Sequence, residues 1–185
     1  MGLRPRTETR ILDAAEDLFF TQGIVATPID TITARAGVSP ATLYRGYVSK
    51  DALVAAVLQR RQEAWIATWD DAVARSATDE QRLLAIFDAL QAFRAQPRGS
   101  RWCAFLATSA EYAVAPPEVA AAIRSDTEGM RTRLEELAAP IAGAAAAQLA
   151  ERLLLVVSGD LAMRLRVPGH ATDTARDIAA TLISR

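Results

Sequence analysis

The chain has 185 residues, 21 of them basic and 22 acidic, so its formal net charge at pH 7 is −1. This balance excludes a uniformly basic nucleic-acid-binding protein, although it leaves room for a local basic patch. The chain contains 39 alanines against 9 glycines and 8 prolines, and because Ala has the highest helix propensity, we expect an all-helical fold.

The single cysteine, Cys103, cannot close a disulfide within the chain, and with only one histidine a zinc site built from Cys and His is excluded. No run of 18 uncharged apolar residues is present, and the first ten residues are polar. We therefore expect a cytoplasmic protein with no metal, no cofactor and no membrane partner.

The first predicted helix covers residues 6–22 and is followed by Gly23, a candidate left-handed helix cap. Its apolar residues recur at the i, i+3, i+4, i+7 spacing of an amphipathic helix; they are Ile11, Ala14, Ala15, Leu18 and Phe19.

Three helix-start signals follow. Thr27 precedes a proline, with Asp30 completing a capping box; Ser39 precedes Pro40; and Ser49 begins a third helix start. Gly37 lies in the tight turn between the first two signals, where a positive φ is expected. Two short helices, at 28–36 and 40–46, joined by such a turn form a helix-turn-helix.

The remaining helices are separated by segments rich in Pro and Gly, which break helices. We predict about nine helices in total, the later ones at 51–75, 79–95, 101–114, 117–139, 144–166 and 171–184. Asp160 lies in an apolar segment, where a charge is costly unless it is paired, and Arg94 and Arg164 are its candidate partners.

The region from Thr7 to about Leu58 resembles the DNA-binding region of the TetR family of bacterial transcriptional regulators. The matching positions are ILDAAEDLF (11–19), Gly23, Thr27, Ile32, ARAGVS (34–39), TLY (42–44), Tyr47 and SKDAL (49–53). Beyond residue 60 the likeness is weaker. Gly46 and Asp30 depart from the family pattern, which more often has a larger residue at the first position and Arg or another polar residue at the second.

The resemblance implies that the second short helix reads DNA, and its chemistry suits that role. Arg45 can donate two hydrogen bonds to a guanine, and the methyl groups of Thr42 and Ala41 can contact thymine. By resemblance, Tyr44, Thr27 and Lys50 contact phosphates, and Lys50 is the only lysine in the chain. Together with the start of the helix, the expected DNA-binding residues are Thr27, Ser39, Pro40, Ala41, Thr42, Tyr44, Arg45 and Lys50.

Two further surfaces are expected beyond the DNA-binding region. Trp65 and Trp69 share a helix face and either wall a ligand pocket or pack as core. The full set of ligand-binding candidates is Trp65, Trp69, Phe87, Leu90, Phe93, Phe105 and Tyr112. The candidates for a dimer interface formed by the last two helices are Leu153, Val157, Leu161, Ala175, Ile178 and Leu182.

These expectations define residues 1–48 as a helix-turn-helix DNA-binding domain and residues 49–185 as a ligand-binding and dimerisation domain. The predicted function is a homodimeric regulator, a repressor, that binds a palindromic double-stranded operator and is released by a small apolar effector. The alternative is a helical dimeric module or co-regulator that acts through protein contacts. An enzyme is excluded by the lack of a phosphate-binding glycine loop and of a carboxylate–histidine metal motif.

Overall fold

A computed structural model describes residues 2–96, 103–167 and 169–184. Over these ranges the chain forms nine α-helices, a short 3-10 helix and no strand, which confirms the predicted all-helical class. By contacts, the chain divides into two compact units, each described separately below. This grouping differs from the proposed functional boundary after residue 48, which stays a prediction.

The first unit comprises Met1–Arg61 and Ala107–Arg124. Its N-terminal part contains α1 (Pro5–Gln22), α2 (Ile29–Ala36) and α3 (Pro40–Gly46), with α1 packed on α2 and α2 on α3. The unit also holds the first half of α4 (Lys50–Ala74), the end of α6 (Ala104–Glu111) and the start of α7 (Pro117–Ala142).

Arginines on α4 tie this helix to α1. Arg60 donates to Asp13 at 2.7 Å and also bonds Glu16, and Arg61 donates to Glu16 at 2.8 Å. The side chain of Arg61 is only 5% exposed, so water weakens this ion pair less than it weakens a pair on the surface. The helix-turn-helix and the first half of α4 are therefore joined by charge as well as by packing.

The second unit comprises Gln62–Leu106 and Ser125–Arg185. It contains α5 (Asp79–Ala95), α8 (Ala146–Arg166) and α9 (Asp173–Ile183), and α9 packs against both α5 and α8. Apolar side chains from α4, α5, α7, α8 and α9 form its continuous core. Both α4 and α7 run without interruption from one unit into the other.

A polar cluster is buried in this unit beside α8. Asp160, 3% exposed, pairs with Arg164 at 3.0 Å, as expected from the sequence, and its other oxygen lies 2.9 Å from Nε2 of His170. Arg94 donates to the backbone carbonyl of His170 at 3.2 Å. Burial lowers the pKa of Arg164, while the Asp160 carboxylate opposes that shift.

Several predicted boundaries differ from the structure. The cap at Thr27 is wrong: α2 begins at Ile29, Pro28 precedes it, and no side chain caps it, so Asp30 forms no capping box there. The predicted end at residue 139 is also wrong, because α7 includes Pro140 and stops only before Gly143, whose φ is +50°. A proline in the last turn removes one hydrogen bond without ending the helix. The predicted start of α6 at residue 101 lies outside the described residues.

Within Pro117–Arg166 there is a window that is long and apolar enough to cross a membrane by length and composition alone. Core helices of soluble proteins have the same composition. Leu149, Leu153 and Val157 of α8 are buried in the core of the second unit, although only 33% of the apolar window is buried.

Candidate nucleic-acid interface and ligand cavity

Helix α3 is anchored by one side chain and exposes the rest. Leu43 is fully buried, whereas Pro40, Ala41, Tyr44 and Arg45 are exposed. The neighbouring Thr42 and Ser39 are half-buried and exposed respectively. The polar edge expected to read DNA therefore faces solvent rather than the unit's own interior.

The start of α3 is fixed by the predicted cap. The hydroxyl of Ser39 accepts a hydrogen bond from the backbone N–H of Thr42 at 3.2 Å, and Pro40 occupies the first helical turn. Ser39 also shares a hydrogen bond with the Thr42 hydroxyl at 2.9 Å. Capping of this kind satisfies a backbone donor that the helix itself leaves unpaired.

The turn before α3 is held by an arginine from α1. Gly37 adopts the left-handed conformation with φ +61°, as predicted. The guanidinium of Arg10 donates to the carbonyl of Ala36 at 2.9 Å and to the carbonyl of Gly37 at 2.7 Å. The positive φ favours glycine there, and a Cβ on Gly37 would lie 2.8 Å from Nη2 of Arg10, so an added side chain would also displace the end of the arginine.

Lys50 lies at the start of α4, next to the loop that joins α1 and α2. Its Nζ is 3.4 Å from the carbonyl of Val25, and the N–H of Val25 donates to Glu111 at 3.0 Å. Burial lowers the pKa of Lys50, while the carboxylates of Asp51 and Glu111 oppose that shift. The ammonium group is thus held on the surface of the first unit between a carbonyl and two acids.

Thr27 has a different role from the one expected. Its side chain is fully buried, and its hydroxyl donates to the carbonyl of Gly23 at 2.6 Å. A buried hydroxyl with this bond cannot reach a phosphate, so Thr27 contributes to the fold of the α1–α2 loop instead. Gly23 has a positive φ of 91°, but its ψ of 148° places it outside the left-handed helical region predicted for it.

Two arginines near the helix-turn-helix are already bonded within the chain. Arg35 forms an ion pair with Asp17, and Arg10 is committed to the turn. Arg45 makes no hydrogen bond or ion pair within the described ranges, and it is exposed. It is therefore the guanidinium of α3 that is available to a nucleic acid.

The unusual glycine at the end of α3 makes room for the N-terminal segment. A Cβ at Gly46 would lie 2.2 Å from Cδ1 of Leu3. Tyr47, next in the chain, is 7% exposed and contributes to the core, as its aromatic side chain suggests. Burial and the nearby Glu8 raise the pKa of Tyr47 to about 12.

The second unit contains an open cavity of about 290 Å³ between α4 and α7. Its apolar wall includes Trp65 and Trp69, whose ring centroids are 5.7 Å apart. The guanidinium of Arg133 lies 4.7 Å from the centroid of Trp69 and pairs with Asp70. The remaining residues that line the cavity are Gln62, Ile66, Asp126, Gly129, Met130, Thr132 and Glu136.

Polar groups around this cavity lack partners. The indole N–H of Trp69 and Nε of Arg133 are buried without a hydrogen-bond acceptor among the described residues. Asp126 is 5% exposed, and burial alone raises the pKa of its carboxyl to about 7. Buried polar groups are satisfied in the large majority of cases, so the two unpaired donors and the isolated buried carboxyl mark this cavity as a candidate ligand site.

Of the seven residues predicted to bind a ligand, Trp65 and Trp69 line this cavity. Phe87 and Leu90 belong to the core cluster, and Phe93 packs edge-on against Trp65 at 5.8 Å. Phe105 is buried elsewhere in the second unit, and Tyr112 belongs to the first unit, where burial raises its pKa. These five do not line the cavity.

Asp126 was missed by the sequence reading, although the sequence carries a signal for it. On α7, apolar residues recur three or four apart on one side of the helix, and the acid occupies a position in that series. The series runs Val119, Ile123, Asp126, Met130, Leu134 and Leu137. An acid in an otherwise apolar stripe is a candidate for a buried functional group.

Four of the six residues predicted for a dimer interface are buried within their own chain. Leu153, Val157, Leu161 and Ala175 are buried in the core of their own chain, so they are not available to a partner chain. Ile178 is 48% exposed and Leu182 is half-buried, and their role in a dimer stays a prediction. The exposed apolar side chains of α8 are instead Leu155, Met163 and Leu165.

Comparison with known proteins gives the same assignment as the helix-turn-helix geometry. Residues 11–57 match the family model described as "Bacterial regulatory proteins, tetR family". The chain is 34% identical over 67 residues to the HTH-type transcriptional regulator UidR of Escherichia coli K12, which covers 36% of this chain and 34% of UidR. It is 35% identical over 127 residues to the HTH-type transcriptional activator FasR of Mycolicibacterium smegmatis, covering 67% of this chain and 56% of FasR. The chain therefore spans about a third of one of these curated relatives and about half of the other.

The similarity of fold extends over nearly the whole chain. The crystal structure of SCO4454, a TetR-family transcriptional regulator from Streptomyces coelicolor, superimposes with a TM-score of 0.82 and 25% identity. That match covers 98% of this chain and 94% of the other.

The helix-turn-helix with its exposed reading helix defines the class as a DNA-binding transcriptional regulator. The chain belongs to the TetR family. Both findings concern transcriptional regulators.

Proposed function

We propose that the protein is a ligand-responsive regulator that binds a palindromic DNA operator as a homodimer and represses transcription until a small effector releases it. The observation that carries the proposal is the exposed edge of α3, on which Arg45 has no partner within the described ranges. A helix presented in this way can enter the major groove and place its first residues against base edges.

The proposed contacts divide into two kinds. Arg45, Thr42 and Ala41 read bases, whereas Tyr44 and Lys50 contact phosphates, and Ser39 and Pro40 form the start of the helix that approaches the duplex. Contacts to phosphate position the protein, and contacts to base edges provide specificity. Thr27 is left out of this set because its side chain is buried.

Dimerisation is proposed through the exposed apolar side chains of α8 and α9, chiefly Leu155, Met163 and Ile178. A two-fold dimer would present two copies of α3 to half-sites about 34 Å apart, one turn of DNA. Leu155 is 75% exposed, so Leu155→Arg should convert the dimer to a monomer without disturbing the core. Light scattering after gel filtration measures this change directly.

Release is proposed to pass through α4, which carries Lys50 in the first unit and the two cavity tryptophans in the second. An effector shifts the population only if it binds the non-DNA-binding state more tightly than the DNA-binding state. Since α4 is tied to α1 by Arg60 and Arg61, movement of this helix would also move the reading helix.

The test of DNA binding is selection of bound duplexes from a random pool by the purified protein, followed by anisotropy measurements. We expect a palindrome, and we expect the double variant Arg45→Ala/Lys50→Ala to lower the slope of log K against log salt by about 0.9 for each phosphate that the variant no longer neutralises. The control is Arg75→Ala/Arg166→Ala, which removes the same charge from exposed positions in the second unit. Equal binding by both double variants would refute DNA recognition through α3, and a parent protein that binds no duplex would favour a module that acts through protein contacts.

A further inference from the structure

The cavity between α4 and α7 has a definite chemical character that narrows the class of effector. We propose that it binds a small organic cation, a protonated amine carried on an apolar or aromatic body, with the carboxylate of Asp126 as the counter-ion. The inference deepens the proposed function, because it names the ligand class of the same cavity.

The first argument is the isolation of Asp126. The residue is 5% exposed and lines the cavity, yet no described residue donates a hydrogen bond to its carboxylate or forms an ion pair with it. Removing an ionised carboxylate from water without a partner is expensive. A positively charged ligand in the cavity would supply the missing partner, whereas an anionic ligand would add a second unpaired charge.

The second argument is the charge of the rest of the cavity. Arg133 is the cation of its lining, and its guanidinium is already paired with Asp70 and stacked on Trp69. Glu136 lies at the exposed side of the lining and forms no ion pair within the described ranges. The uncompensated charges of the cavity are therefore both negative, which disfavours anions and attracts cations.

The third argument is the apolar wall. Trp65 and Trp69 lie four residues apart on α4, and Met130 faces them from α7. Aromatic rings attract ammonium groups as well as apolar bodies, so Trp65 can contact either part of such a ligand, whereas one face of Trp69 is already covered by Arg133. A cavity of about 290 Å³ is at the small end of ligand sites, which excludes bulky polycyclic effectors from complete burial.

Protonation gives an independent signature. The other ionisable groups that line the cavity are Arg133 and Glu136 on α7, and Arg133 is paired with Asp70 on α4. Because burial raises the pKa of Asp126 to about 7, the empty protein holds a proton on this carboxyl in weak acid. A cation must displace that proton, so its affinity should rise as the pH increases through 7, while the affinity of a neutral ligand should not change.

The test compares three probes of similar size, the terminal amine phenylbutylamine, the alcohol phenylbutanol and the acid phenylbutyrate, by isothermal titration calorimetry without DNA. At about pH 8 we expect the amine to bind at least about tenfold more tightly than the alcohol, and the acid to bind most weakly. Asp126→Asn should remove the advantage of the amine and leave the alcohol unchanged. Glu135→Gln, an exposed acid on the same helix outside the cavity, should change neither.

The unaltered protein provides a second measurement that does not depend on any variant folding. Its affinity for the amine should increase by about tenfold between about pH 6 and about pH 8. An amine that binds no better than the alcohol, or a flat pH profile, would overturn the proposal. The calorimetry contains no DNA, so its result does not depend on whether the protein binds an operator. If the amine bound but did not release the operator, the cation site would be supported and its role as the effector site would be refuted.

Discussion

The helix-turn-helix and the cavity of the second unit differ in whether their polar groups have hydrogen-bond partners within the chain. In the first region the groups that hold the reading helix in place are paired within the chain: Arg10 with the carbonyls of the turn, Ser39 with the N–H of Thr42, and Thr27 with the carbonyl of Gly23. Around the cavity, Trp69 and Arg133 keep unpaired buried donors. A reading helix has to be rigid before DNA arrives, whereas a ligand site gains affinity from groups that only the ligand satisfies.

The largest expected effect comes from breaking the buried ion pair between Asp160 and Arg164 in the second unit. Asp160→Asn removes the charge that faces Arg164, whose side chain is only 5% exposed. Leaving a buried cation without its partner should lower the free energy of unfolding by about 3–5 kcal/mol, measured by urea denaturation. Ala substitution of Arg176, whose ion pair with Asp88 is exposed, is the matched control and should change stability by less than about 1 kcal/mol. A destabilisation of similar size in both variants would show that burial does not decide the value of these pairs.

Substitution of Asp126 should raise the free energy of unfolding rather than lower it, because its carboxylate has no partner within the described residues. Its pKa is raised from 3.8 to about 7, so between these values the folded protein binds more protons than the unfolded chain, and stability falls as the pH rises. Asp126→Asn should remove this pH dependence and raise the free energy of unfolding near pH 8 by on the order of 2 kcal/mol. Parallel denaturation curves at about pH 5 and about pH 8 measure the effect. A variant that is less stable than the parent at the higher pH would mean that the carboxylate has a stabilising partner.

A glycine with positive φ occurs in each region, so the two regions can also be compared by substituting these glycines. Gly37 in the helix-turn-helix and Gly143 after α7 both have positive φ, 61° and 50°, but only Gly37 has a side chain close by, that of Arg10. Gly143→Ala should lower the free energy of unfolding by about 1 kcal/mol, the usual strain of a left-handed alanine. Gly37→Ala should cost about twice as much, because Arg10 must also give up its position.

DNA affinity separates the two glycine variants further. Gly37→Ala should weaken operator binding in the anisotropy assay, because the turn aims α3, whereas Gly143→Ala should bind as the parent does. Equal DNA affinity in the two variants would contradict the view that Arg10 and Gly37 set the direction of the reading helix.

The parts of the fold that could be predicted from the sequence are those held by hydrogen bonds between residues close together in the chain. The cap from Ser39 to Thr42 spans three residues, and the positive φ at Gly37 follows from a single glycine. The bond from Arg10 to Ala36 spans 26 residues, and no local pattern indicates it. Local signals thus locate the reading helix but not the contacts that orient it.

The second unit was harder to predict for a related reason. Helix α8 is apolar on more than one side, so the sequence cannot say which side faces the chain's own core. Packing within the core of the second unit decides it, and it buries Leu153 and Val157 while leaving Leu155 75% exposed. Likewise, the apolar stripe of α7 marks Asp126 as a candidate buried acid, but the sequence does not show that it lines a cavity with the tryptophans of α4.

The smallest expected effects come from removing two helix caps, and comparing them distinguishes a loss of stability from a loss of DNA binding. Ser39 caps α3, and Thr78 caps α5 in a complete capping box with Gln81. Ser39→Ala and Thr78→Ala should each lower the free energy of unfolding by about 1 kcal/mol, because each leaves a backbone N–H without its acceptor. Only Ser39→Ala should also weaken DNA binding, since removal of the cap lets the first turn of α3 fray where it meets the duplex. If Thr78→Ala weakened DNA binding equally, the effect would come from global stability, and the end of α3 would have no special part in recognition.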